Sequence, residues 1–220
     1  MITNRPYIIF DFGNVLLDID YRLTFKALSK LCDRDWRESG IPPHILQWMR
    51  DLETGKMRTE TFLWHFQFHF NANLNPRDII KAWNALLIKI PKSRFKFLQE
   101  LKKTYKLALL SNTNQVHLDW VYRHLRKEHD LEPEEFESCF DKVYYSHNLG
   151  LRKPEQEIYF KVQKELNVDA SHIIFIDDMI DNIEAAKKCG WYGIHHDPKN
   201  DIEMHLETYI QSWRDQKVNE

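Results

Sequence analysis

Three short apolar runs, each stopped abruptly by a polar residue, most constrain how this chain can fold. Tyr7-Ile8-Ile9-Phe10 ends at Asp11, Leu107-Ala108-Leu109-Leu110 at Ser111, and Ile173-Ile174-Phe175-Ile176 at Asp177-Asp178. None alternates with period two, so each is expected to be buried on both faces, as strands of a parallel sheet are. Val143-Tyr144-Tyr145 and Tyr192-Gly193-Ile194 are weaker candidates of the same kind. Helical spacing appears between them: Phe97, Leu98 and Leu101 across 93–104, Val116, Trp120, Val121 and Leu125 across 115–127, Ile158, Val162 and Leu166 across 155–166. Lys153-Pro154 is expected to open the last of these, with proline near the first turn. Ile183 and Ala186 mark another helix, with Gly190 placed to end it. Strand and helix in alternation imply right-handed crossovers and an open α/β sheet.

Residues 19–89 break that rhythm. Amphipathic, aromatic-rich segments around 21–32, 43–52, 59–70 and 77–88 predict helices and no strand. Thr59-Glu60-Thr61-Phe62 and Asn75-Pro76-Arg77-Asp78 resemble helix starts. The expectation is a small all-helical insertion after the first strand. The tail, 201–220, reads as a surface helix with a fraying end.

Composition narrows the class of function. Lys plus Arg number 31 and Asp plus Glu 33, a net charge of −2 without a concentrated basic face, which argues against nucleic-acid or anionic-membrane partners. No apolar run approaches the roughly 18 residues that span a bilayer. Met1 to Phe10 lacks a basic start followed by a long apolar stretch, so no secretory leader is expected. Three scattered cysteines, Cys32, Cys139 and Cys189, fit a reducing compartment, and the expectation is a cytoplasmic protein, monomeric or homodimeric.

In an open α/β sheet, loops leaving the carboxyl ends of neighbouring strands meet in a crevice where strand order reverses. Asp11, Ser111 with Asn112, and Asp177 with Asp178 would be delivered there if the three runs are neighbours, and Lys153 could reach the same place. Crowded carboxylates need a cation, and hard oxygen ligands suit Mg²⁺. A hydroxyl, backbone N–H groups and a lysine suit a phosphate. An Asp nucleophile beside Mg²⁺ and a phosphate clamp points to phosphoryl transfer from a small phosphorylated metabolite.

Four stretches then carry a resemblance. Phe10-Asp11-Phe12-Gly13-Asn14-Val15-Leu16, Leu110-Ser111-Asn112-Thr113-Asn114, Gly150-Leu151-Arg152-Lys153-Pro154-Glu155 with Ile158-Tyr159, and Phe175-Ile176-Asp177-Asp178 with Asp181-Asn182 resemble, in order, the four motifs of the haloacid dehalogenase-like hydrolases. The resemblance covers the whole chain. It implies a Rossmann-like three-layer core, residues 1–18 and 90–220, with a helical cap at 19–89. Glu53-Thr54-Gly55-Lys56-Met57, leading to Glu60 and Phe62, is similar to the cap of sugar phosphatases, notably the α-glucose-1-phosphate phosphatase group. The implied roles are Asp11 as nucleophile, Mg²⁺ on Asp11, the Gly13 carbonyl and Asp178, and phosphate on Ser111, Asn112 and Lys153. Asp177 and Asn182 would orient these groups.

One departure matters. Most phosphatases resembling this chain carry a second Asp two residues after the nucleophile, acting as general acid and base; here Gly13 stands there. Acid–base help is typically worth about 10²–10⁴-fold, so its loss penalises basic leaving groups most. That favours anomeric sugar phosphates or other activated esters. Two competing readings are a carbon–halogen hydrolase, which needs no metal carboxylate at Asp178, and a catalytically weak binding or regulatory member of the same fold.

Several features have ordinary explanations. His65 and His69 are spaced i, i+4, but no third metal ligand is evident, and packing is expected. Trp36, Trp48, Trp64 and Trp83 read as cap core. His195 and His196 would point to opposite faces of a strand. Arg123 to Lys127 reads as a solvated helix face.

Overall fold

The computed structural model describes residues 6–36 and 41–219; the leader expectation on Met1 to Arg5, like the domain ends at Met1 and Glu220, lies outside the described residues. The chain runs β1 (Tyr7–Phe10), β2 (Asp18–Ile19), α1 (Tyr21–Leu31), α2 (Pro43–Glu53), α3 (Thr59–His69), α4 (Pro76–Trp83) and β3 (Leu87–Lys89). It continues through α5 (Ser93–Lys102), β4 (Lys106–Ser111), α6 (Gln115–His124), α7 (Pro133–Glu137), β5 (Lys142–Tyr145) and α8 (Ser146–Leu149). It ends with α9 (Gln156–Leu166), β6 (Ile173–Asp177), α10 (Ile180–Lys188), β7 (Tyr192–His195) and α11 (Ile202–Asn219).

Five strands form a parallel sheet in the order β5-β4-β1-β6-β7, so β1 is central and Phe10 lies between Leu109 and Ile176. The continuous apolar runs are buried on both faces. Ile8, Phe10, Leu107, Leu109, Ile174 and Ile176 pack on one side with Leu98 of α5, Leu118 and Val121 of α6, and α11. Ile9, Ala108, Leu110, Ile173 and Phe175 pack on the other with Ile158, Tyr159 and Val162 of α9 and Ile183 and Ala186 of α10. Helices cover both faces of a parallel sheet, the three-layer arrangement that such unalternating strands require.

Local expectations needed small corrections. Glu155 caps α9, so Pro154 lies ahead of the helix, joined to Lys153 by a cis bond, and does not occupy its first turn. Helix α3 does begin at Thr59, with Arg58 at its cap, and Asn75 caps α4 by accepting from the Arg77 N–H at 2.9 Å. Gly190 follows α10 at φ +85°, the left-handed position glycine tolerates best. The tail helix α11 is anchored, not merely superficial: Ile202, Leu206, Ile210 and Trp213 recur at helical spacing and are buried in the core.

Between β1 and β4 the chain is mostly helical, with one surprise. β2 and β3 pair antiparallel, Asp18 opposite Lys89 and Ile19 opposite Leu87, where the sequence predicted no strand. Two- and three-residue strands are too short to show any period. Beyond this ribbon, Leu28, Trp36, Ile45, Trp48, Leu52, Phe62, Phe66, Ile79 and Trp83 form a separate apolar cluster, joined from the sheet side by Val116. Buried Thr24 ties the two ends together, donating to the Trp83 carbonyl at 2.9 Å and accepting from the Leu86 N–H at 2.9 Å. His65 lies flat on Trp48, ring centroids 4.7 Å apart, and His69 stacks on His44, so these histidines pack as expected. Trp64 does not join the core: it is 53% exposed and stacks on exposed Phe68.

Candidate active site

The shared register of β1, β4 and β6 brings Asp11, Ser111 and Asp177 out at one sheet edge. The Asp11 N–H still bonds the Ile176 carbonyl at 2.8 Å, so its backbone is fixed by the sheet itself. The chain then turns sharply, with the N–H groups of Leu16 and Leu17 both donating to the Phe12 carbonyl. Asn14 takes φ +56°, a left-handed conformation that asparagine tolerates better than most residues. Its side-chain amide donates to Asp178 Oδ2 at 2.8 Å. The sequence assigned Asn14 no role, because this bond joins residues from opposite ends of the chain.

Lys153 arrives from β5 through α8 and Gly150. Asn112 fixes its backbone from both sides, donating to the Lys153 carbonyl and accepting from the Lys153 N–H, each at 2.9 Å. The Lys153 side chain is 1% exposed, and Nζ donates to Asp11 Oδ1 at 2.6 Å and Asp177 Oδ2 at 2.7 Å. Asp177 is further held by the Met179 N–H at 2.8 Å and by Asn182 Nδ2, 3.0 Å from both its oxygens. Ser111 is buried beside them and lines the same cavity. All the predicted site residues therefore converge, with Asp177 and Asn182 behind Lys153. His195 and His196 diverge as expected: exposed His195 contacts the Asp178 carbonyl, and buried His196 faces Tyr209.

Three carboxylates, on Asp11, Asp177 and Asp178, place ligand oxygens within 4.8 Å of one another. With all three ionised, one ammonium leaves two negative charges uncompensated. Burial above all pushes the Asp11 carboxyl up, against the pull of Lys153 and with the charges of Asp177 and Asp178. Asp178 is also raised, first by burial. Burial opposes the Lys153 ammonium too, but Asp11 and Asp177 outweigh it and hold its pKa above the ordinary lysine value. A divalent cation fits this charge deficit and this all-oxygen donor set. Asp11 spends one oxygen on Lys153 and Asp178 one on Asn14, leaving each a second for a cation, whereas both Asp177 oxygens are engaged.

A Cβ at Gly13 would sit 2.7 Å from Ile19 Cδ1, the tip of a flexible side chain, so a larger residue here needs only that tip to move.

Above the carboxylates lies a cavity of about 360 Å³, to which the helical insert contributes Tyr21, Arg50 and Glu53. Glu53 accepts from the Arg152 guanidinium at 2.9 Å, joining the end of α2 to the residue before Lys153. Burial raises the Glu53 carboxyl, and Arg152 opposes it. Gly55, at φ +67°, lies so close to α8 that a Cβ would land on the His147 carbonyl oxygen. Gly55→Ala is therefore expected to cost about 1–2 kcal/mol from the left-handed backbone alone, and more from displacing this contact. Urea denaturation together with KM should show the loss; wild-type values for both would refute close docking.

Known proteins place the chain in context. A D-ribitol-5-phosphate phosphatase from Bacteroides thetaiotaomicron is 29% identical over 214 residues, spanning 96% of this chain and all of that protein. A solved family enzyme from the same organism, in complex with magnesium and inorganic phosphate, is 25% identical with TM-score 0.79, covering 90% of this chain and 97% of that one. A 2-haloacid dehalogenase from Pseudomonas syringae, 16% identical with TM-score 0.60, covers 95% of this chain and 99% of that one and shares the fold. The sequence model of the family described as hydrolase, haloacid dehalogenase-like hydrolase, matches residues 7–190, and the chain belongs to that family.

Proposed function

We propose that this hydrolase is a Mg²⁺-dependent phosphatase acting on a small polyhydroxylated phosphomonoester, with Asp11 as nucleophile. The observation that carries the reading is the buried Lys153 clamped between Asp11 and Asp177, with Asp178 alongside, at the floor of the cavity. An Asp11 oxygen attacks phosphorus as the bond to the leaving oxygen breaks, and the departing alkoxide takes a proton from water. Water then attacks the phosphoaspartate, the Asp11–phosphorus bond breaks, and phosphate leaves. Lys153 holds Asp11 in line and offsets charge on the transferred oxygens, while Ser111 and the Asn112 backbone bond them. Asp11, the Gly13 carbonyl and Asp178 would hold the ion, with Asp177 and Asn182 setting the orientation. When bound, Mg²⁺ adds positive charge to the phosphoryl oxygens. The segment 19–89 acts as a cap on the core of 1–18 and 90–220, excluding water and touching the leaving group.

The relative that acts on D-ribitol 5-phosphate supports a sugar-alcohol or sugar phosphate as substrate class. Gly13, which carries no carboxylate, supports esters that depart without strong protonation, such as glucose 1-phosphate. Phosphate release from an aryl phosphate is expected to need Mg²⁺ and to stop when a chelator is added. Release indifferent to chelation would overturn the metal assignment, and no release from any phosphate ester would reopen dehalogenase-type chemistry. Glucose 1-phosphate should outpace glucose 6-phosphate; the reverse order removes the Gly13 argument.

A further inference from the structure

His117 has its tautomer set by its neighbours. Asn84 is buried, and its side-chain N–H donates to the Val116 carbonyl at 3.3 Å, which turns the amide oxygen toward His117. That oxygen lies 2.7 Å from His117 Nδ1. An amide oxygen only accepts, so Nδ1 must carry the proton. The imidazole stacks almost parallel on Trp83, centroids 5.2 Å apart and planes 11° apart, which fixes its plane. Burial pushes its pKa down to about 3, so the ring stays neutral at ordinary pH. Nε2 therefore bears a lone pair and no proton. His117 lines the cavity above Asp11, and Nε2 makes no hydrogen bond among the described residues.

We infer that His117 Nε2 is the acceptor that selects leaving groups bearing a hydroxyl, drawing sugar or polyol chains into the cavity by one O–H···N bond. This rests on the phosphatase reading and names what that site prefers. The same tautomer bars His117 from donating a proton, so it does not replace the acid missing at Gly13. A site built to bond a hydroxyl penalises an analogue without one, because the bound analogue shuts the acceptor off from water and leaves it unpaired.

The test compares a five-carbon polyol phosphate with pentyl phosphate, in wild type, His117→Asn and His117→Gln. Asparagine keeps a donor near the Nδ1 position and removes the acceptor; glutamine places an amide oxygen near Nε2. A lost hydrogen bond of about 0.5–1.5 kcal/mol corresponds to roughly a 2- to 12-fold change. The preference for the polyol ester in kcat/KM, carried mainly by KM, is expected to fall by about that factor in His117→Asn and to return in part in His117→Gln. Equal losses on both esters, an unchanged preference in His117→Asn, or a preference in His117→Gln no higher than in His117→Asn would overturn the assignment. Wild-type protein inactive on every ester, aryl phosphate included, would point to failure of the phosphatase reading itself.

Discussion

Asp11→Asn is expected to lower kcat by at least about 10⁴-fold, since the amide cannot form the covalent intermediate and loss of a nucleophile ranks among the largest single effects in enzymes. The substitution keeps volume and hydrogen-bonding shape at the end of the central strand, so the sheet register should survive. It also removes one of three carboxylates crowded around a single ammonium. Unfolding free energy should therefore stay level or rise by about 1 kcal/mol, as when active-site strain is relieved. Phosphate release and urea denaturation measured on the same preparation check both halves. A variant with wild-type turnover would take Asp11 out of the chemistry.

Lys153→Met should act on stability and rate together. It leaves Asp11 and Asp177 buried without their ammonium, and removing one partner of such a pair typically costs about 3–5 kcal/mol. The rate should fall by about 10²–10³-fold, the usual loss when one preorganised charge at the reacting group goes. Added Mg²⁺ brings back positive charge, so it should raise the unfolding midpoint more in the variant than in wild type. Denaturation with and without the ion reads this directly. Wild-type stability in the variant would mean that Lys153 does not hold these carboxylates together.

The sheet and the edge that carries the candidate site are legible because parallel strands buried on both faces advertise themselves as unbroken apolar runs, and the residue ending each run is the one delivered to the crevice. Asp11, Ser111 and Asp177 needed only strand order to converge. Partnerships that cross the chain were not legible in this way. Nothing local to Asn14 announces Asp178, and nothing local to His117 announces Asn84. Glu53 and Arg152 stood in separate motifs with no sign that they meet. Trp64 is different, because its exposure follows from its place on the helix. Phe62 and Phe66 are buried four residues apart on α3, and Trp64 lies about 200° from Phe62 at 100° per residue, on the opposite face with Phe68. Counting aromatics hid that; tracing them round the helix shows it.

The β2–β3 ribbon has an architectural consequence. Because Asp18 and Lys89 are neighbours across it, the main body of the protein meets the helical segment much as it would meet a hairpin turn, the two chain ends about 5 Å apart. On the proposed reading of 19–89 as a cap, that segment can be trimmed or exchanged as a cassette, altering which molecules are accepted while the sheet edge keeps its shape. Grafting a short turn between those two residues should leave a chain that still folds, with Val116 newly wetted, and far less choosy about what it cleaves.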